Sequence, residues 1–129
     1  MKAMRKSMTL LELLVVVIVV SILATVAIST HEGAVQSTRN AKARHALSLI
    51  AEAEKMYSVE HEGAYLAVPA GDFTQLITDT GMDLQTIGAD NDWDYTVTAA
   101  PPVATATGKA GSPVAGQTIT FNFDTGVFS

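Results

Sequence analysis

The 129-residue chain has no cysteine, which excludes disulfides, thiol nucleophiles and cysteine-ligated metal centres. Aromatic residues are scarce, with four Phe, three Tyr and one Trp. Most of the aliphatic bulk is concentrated in residues 8–28. The rest of the chain can therefore bury only a modest core, and a domain that small is marginal without support such as packing into an assembly. None of the four prolines interrupts the apolar run, so nothing there forbids a continuous helix. The first seven residues lack acids but contain Lys2, Arg5 and Lys6. Removing those three cations from the net charge of −5 leaves about −8 on the remainder. That balance argues against nucleic-acid binding by phosphate attraction.

What is present is an ordered sequence of segments. Residues 1–7 form a basic leader. Met8 to Ile28 is an aliphatic run holding one charge, Glu12. As a helix the run would span roughly 31 Å at 1.5 Å per residue, about one hydrocarbon thickness. Its many β-branched residues lower helicity in water, but in lipid a helix is the only single-segment solution for the backbone. The basic flank places the leader on the cytoplasmic side.

From His31 to about Glu60 the pattern becomes amphipathic. Leu47, Ile50, Ala51 and Tyr57 share a face, which Ala46, Leu49, Ala53 and Met56 extend at spacings of three and four. Arg39, Lys42, Arg44, Glu52 and Lys55 fall largely outside it. One helix of about fifty residues is the simplest reading, with Gly33 its weakest interior point at ~1 kcal/mol relative to alanine. Gly63 is the expected helix stop. A short helix is predicted around 73–80, ended by Gly81.

Beyond Gly88 the periodicity changes to two. Residues 93–98 and 117–123 alternate clearly, 103–107 do so weakly, and Asp124-Thr125-Gly126 supplies a turn. The expected fold is α+β. A long N-terminal helix, half transmembrane and half amphipathic, packs on a small antiparallel sheet of three to four strands. The expected organisation is a leader (1–7), a transmembrane and polymerisation helix (8–30) and a globular domain (31–129). The domain divides into an amphipathic helix (31–62), a connection (63–90) and the sheet (91–129).

The leader, then Met8-Thr9-Leu10-Leu11-Glu12-Leu13-Leu14, then unbroken aliphatic sequence resembles the prepilin N-terminal motif of type IV pilins, type II secretion pseudopilins and competence pilins. The likeness covers about residues 2–30, and its specificity lies in the combination. A carboxylate in a spanning helix costs on the order of 2.5–3.5 kcal/mol near the helix centre and less near the interface, so an ordinary anchor has no reason to carry Glu12. Cutting between Ser7 and Met8 would create an α-ammonium one helical turn from Glu12, a natural partner in low dielectric.

The resemblance implies that a prepilin peptidase cuts there and that Met8 becomes an N-methylated terminus. It also implies that Glu12, with Thr9 and Leu10, directs subunit registration. The implied partners are other copies of the chain, minor pilins, an inner-membrane platform protein, an assembly ATPase and, before assembly, membrane lipid. The implied location is the bacterial inner membrane for the precursor, then an extracellular pilus or a periplasm-spanning pseudopilus. The chain departs from the family pattern in four places. Ser7 replaces the glycine before the cut, Ser21 replaces a frequent glycine, Ser29 replaces a frequent proline, and no C-terminal disulfide exists.

Other candidates carry less. Asp90-Asn91-Asp92-Trp93-Asp94 begins like a calcium loop, and major pseudopilins hold calcium in a C-terminal loop. Yet Tyr95 stands where an EF-hand needs glycine and Pro101 where it needs glutamate. The segment reads as a solvated acidic turn, with calcium on Asp90, Asp92 and Asp94 as the alternative and no other cofactor expected. His31, His45 and His61 are too far apart on one helix to converge. Trp93, Tyr95, Phe121 and Phe123 read as core. No serine lies in a nucleophile-elbow pattern, and no phosphate-binding glycine loop occurs, so the chain reads as a non-enzyme. A competing class is a membrane-anchored binding module, in which Glu12 would be dispensable.

Overall fold

The computed structural model describes residues 9–129 of the chain. They form an α+β fold with a helix of 51 residues, α1 (Leu10–Glu60). Two short helices follow, α2 (Thr74–Thr80) and α3 (Gln85–Gly88). The sheet comprises β1 (Trp93–Ala99), β2 (Pro102–Gly108), β3 (Thr118–Asn122) and β4 (Val127–Phe128). The chain divides into two units, one ending at Val35 and the other Gln36–Ser129.

In the first unit α1 carries aliphatic side chains on every side from Leu13 to Ile28. All its large aliphatic residues from Leu10 to Ile28 are exposed, and α1 is long and apolar enough at this end to cross a membrane. None of that apolar window is buried in the fold, which distinguishes it from the core helix of a soluble domain.

In the second unit α1 has an inward face. Ala43, Leu47, Ile50 and Tyr57 recur at spacings that return to the same side of a helix, and they join the inner face of the sheet in one core. Alanines at 43, 46, 51 and 53 keep that face shallow, so larger sheet residues can approach it. Met56 departs from the expected stripe: it is 46% exposed, because at 100° per residue it turns away from Ala53 and Tyr57 toward the solvent side of Glu52 and Val59. Two residues in the left-handed region, Glu62 and Gly63, end the helix, and the Gly63 N–H donates to Ser58 O at 2.8 Å.

The sheet is an antiparallel meander in the order β1-β2-β3-β4. Its register sets large residues beside small ones. Tyr95 faces Ala106, Val97 faces Ala104, and Ala104 in turn faces Phe121. The inward positions of β2 are alanines, which explains its weak sequence pattern. Phe121 and Phe128 pack at 4.8 Å between ring centroids, with the Arg44 guanidinium 5.8 Å from the Phe128 ring.

Residues 63–90, expected as a connection with one short helix, hold two helices and a backbone bridge. Val68 and Val97 exchange N–H···O bonds of 3.0 and 2.9 Å, and the Gly71 N–H donates to Tyr95 O at 2.9 Å. This segment covers the outer edge of β1.

Candidate functional site

The first turn of α1 is closed by a reciprocal pair of bonds. The Thr9 carbonyl accepts the Leu13 N–H at 3.1 Å, which makes Thr9 the N-cap. Its Oγ1 accepts the Glu12 N–H, and Glu12 Oε2 accepts the Thr9 N–H, both at 3.2 Å. This is a capping box, in which two orphan donors of the helix start are satisfied by each other's side chains. A negative charge there also suits the positive end of the helix. Thr-x-x-Glu at residues 9–12 is the four-residue signal that could have marked this helix start; in the sequence reading Glu12 stands out only for its charge. One N–H leaves most of a carboxylate's accepting capacity for other donors.

The rest of the apolar segment offers little polarity. Ser21 Oγ donates to Val17 O at 2.6 Å, and Thr25 Oγ1 donates to Ser21 O at 2.9 Å. These are the only two hydroxyls between Leu10 and Ile28, and both are used within their own helix. Glu12 is thus the one ionisable group on a surface of exposed aliphatic side chains. Leu10, beside the cap, is 88% exposed. Ser7 and Met8, the expected cleavage pair, lie outside the described residues.

No protein-family model, curated protein or solved structure matches the chain.

A second cluster gathers the three aspartates of residues 90–94, each beside a cation. Asp90 is 5% exposed. Its Oδ1 accepts the N–H groups of Asp92 (2.8 Å) and Trp93 (3.2 Å), and its Oδ2 lies 3.0 Å from Lys42 Nζ. Arg39 pairs with Asp92, and Lys109 with Asp94, each at 3.5 Å. Lys109 Nζ also donates to the Asp90 carbonyl, and Ser112 Oγ to the Asp92 carbonyl. Burial alone would push the Asp90 carboxyl up. The Asp92 N–H, Lys42 and the Trp93 N–H together outweigh it and hold the carboxyl below its ordinary range. Burial and the neighbouring Asp90 push the Tyr95 hydroxyl up.

The donors do not fit a calcium ion as they stand. Calcium takes six to eight oxygens, and here the carboxylates already carry Lys42, Arg39 and Lys109, all of which an ion would have to displace. Among the described residues no group of three or more His, Asp or Glu side chains is placed to hold a metal. His61 stacks on Tyr57 with ring centroids 3.8 Å apart, while His31 and His45 lie elsewhere along α1. Trp93, Tyr95, Phe121 and Phe123 are buried.

Proposed function

We propose that this chain is a structural subunit of a type IV pilus or a closely related filament, stored in a membrane by the apolar end of α1 and polymerised through that same surface. The observation that carries this reading is a single carboxylate, fixed by a cap, at the start of a helix that is otherwise aliphatic and exposed. In a lipid bilayer such a surface gains little from associating with its like, because lipid tails are as apolar as leucine. Dispersion contacts and one strong polar contact must then set the geometry. Glu12 supplies the carboxylate that accepts, and the α-ammonium freed at Met8 by a prepilin peptidase supplies the positive charge that donates.

The capping box adds a reason for Thr9. It holds the carboxylate at the helix start, where the new amino terminus of another subunit would meet it. The precursor would sit in the bacterial inner membrane with its leader on the cytoplasmic side. A platform protein and an assembly ATPase would draw it into the fibre beside minor pilins. Its role is structural, without a catalytic step. A major pseudopilin of a type II secretion system uses the same physics, and the two differ in whether long surface fibres form.

Replacing Glu12 with alanine in cells that carry the export machinery tests the reading. The expected result is an unchanged amount of membrane-inserted protein and a loss of at least about tenfold in fibre incorporation, which corresponds to roughly 1.4 kcal/mol. Undiminished fibres would overturn it and favour a membrane-tethered binding module.

A further inference from the structure

Glu54 occupies a position where the pattern calls for an apolar residue. The inward face of α1 runs Ala43, Leu47, Ile50, Glu54, Tyr57, and Glu54 is 0% exposed. Its Oε2 accepts one bond, from the Leu66 N–H at 2.8 Å. Its Oε1 is buried with no partner among the described residues. No described cation lies within ion-pair reach of it.

The ionisable groups nearest in sequence on α1, Glu52 and Lys55, are exposed. Tyr57, on the same face, stacks with His61. On the covering segment Tyr65 packs against Phe123, and on the sheet side Asp90 is committed to Lys42. The carboxyl is therefore governed by burial, which pushes its pKa up, and by the Leu66 N–H, which pulls it down less.

The residue that Glu54 holds begins the stretch of backbone that pairs with β1. Two residues after Leu66, Val68 pairs with Val97, and Gly71 then bonds to Tyr95. Together these contacts close the outer edge of β1. An uncovered edge presents unpaired N–H and C=O groups to any other strand.

We propose that Glu54 is a proton-operated latch: protonated, it keeps residues 66–71 closed over the β1 edge, and on releasing its proton to solvent it favours opening of that segment and exposure of the edge. An ionised Glu54 would leave a lone charge in an apolar interior, which costs far more than a neutral acid in the same place. Opening lets water reach it. The proton is bound more tightly in the closed state than in the open one, so opening releases it and becomes more favourable as pH rises above the ordinary carboxyl value. If Glu54 were instead an ionised anchor for the Leu66 amide, the bond would lower its pKa in the closed state and opening would become more favourable as pH falls.

Hydrogen exchange of the full chain in detergent micelles separates these outcomes, with opening constants corrected for intrinsic exchange between about pH 4.5 and 7.5. For the Leu66, Val68, Gly71 and Val97 amides we expect the opening constant to rise by up to about tenfold per pH unit, the slope of one linked proton. The rise levels off once Glu54 is fully ionised. Amides joining β2 to β3, such as Ala106 opposite Ile119, stay flat. Glu54→Gln and Glu54→Leu both abolish the slope, and either variant alone suffices should the other not fold. A flat profile in the parent protein, or one that falls as pH rises, overturns the latch, as does a slope that persists in the variants. Neither result bears on Glu12 or fibre formation.

Discussion

Gly108 ends β2 at a point where no side chain fits. A Cβ built there would lie 1.8 Å from the Val114 carbonyl oxygen and 2.5 Å from its carbon. The first distance is about 1.6 Å short of ordinary contact, and the obstacle is backbone rather than a flexible side chain. Gly108→Ala must therefore push the 109–117 loop away. The displacement breaks the Gly108 N–H bond to Gln117 and the Lys109 N–H bond to Asp92, both 2.9 Å, at about 1 kcal/mol each. It also uncovers Val114, which is fully buried, for about 1.5–3 kcal/mol.

The sum, about 3.5–5 kcal/mol, is a large share of the ~5–15 kcal/mol that holds a typical domain together. With ~4–8 °C per kcal/mol for a domain of this size, the melting temperature should fall by more than about 12 °C. Trp93 is the only tryptophan, is buried, and is the register partner of Gly108, so its fluorescence reports this transition directly. Gly88→Ala, whose Cβ would lie 2.7 Å from the Gly71 oxygen, should cost a smaller ~1–3 kcal/mol. Gly33→Ala meets nothing within 4 Å and should leave the Trp93 transition in place. A Gly108→Ala protein melting within about 2 °C of its parent would refute the steric argument.

Other predictions concern charge and the cap. Asp90 has its pKa depressed by folding, so its contribution to stability is present above its ordinary value of 3.8 and is lost as pH falls through the lower folded value. Asp90→Asn should flatten that acid limb in pH-dependent thermal melts. Chelating divalent cations should leave the melting temperature within about 1 °C, because Lys42, Arg39 and Lys109 already neutralise the aspartates, whereas Lys109→Ala should lower it. Thr9→Val removes the N-cap hydroxyl that accepts the Glu12 N–H, at about 0.5–2 kcal/mol, and leaves the carboxylate only the residue-9 N–H at a weakened helix start. Subunit recovered in sheared fibres should drop, and Thr9→Ser should restore it.

The long helix could be read from the sequence because both of its signals are local: an unbroken aliphatic run and then a stripe at helical spacing. β1 and β3 could be read for the same reason. β2 was weak because its inward residues are alanines, chosen by what stands opposite them rather than by strand propensity. Contacts between distant segments were hidden. The Val68–Val97 bridge, the Lys42–Asp90 pair and the Leu66 grip on Glu54 join residues that no window brings together. Glu54 itself sits at an inward spacing, where its charge concealed its burial. In the candidate site, the Thr9–Glu12 box went unread although its four-residue spacing is local, because the charge of Glu12 drew the reading, while a partner for Glu12 on another subunit lies beyond what one chain displays.

The central claim is that the apolar end of α1 belongs to a processed polymer subunit whose new amino terminus meets Glu12. Mass spectrometry of the N-terminal peptide from purified surface or periplasmic filaments tests it most directly. The account predicts a subunit that begins at Met8 and carries one added methyl group. A subunit that retains Lys2 to Ser7 in the filament, or one that never enters filaments while the export machinery is active, would contradict it.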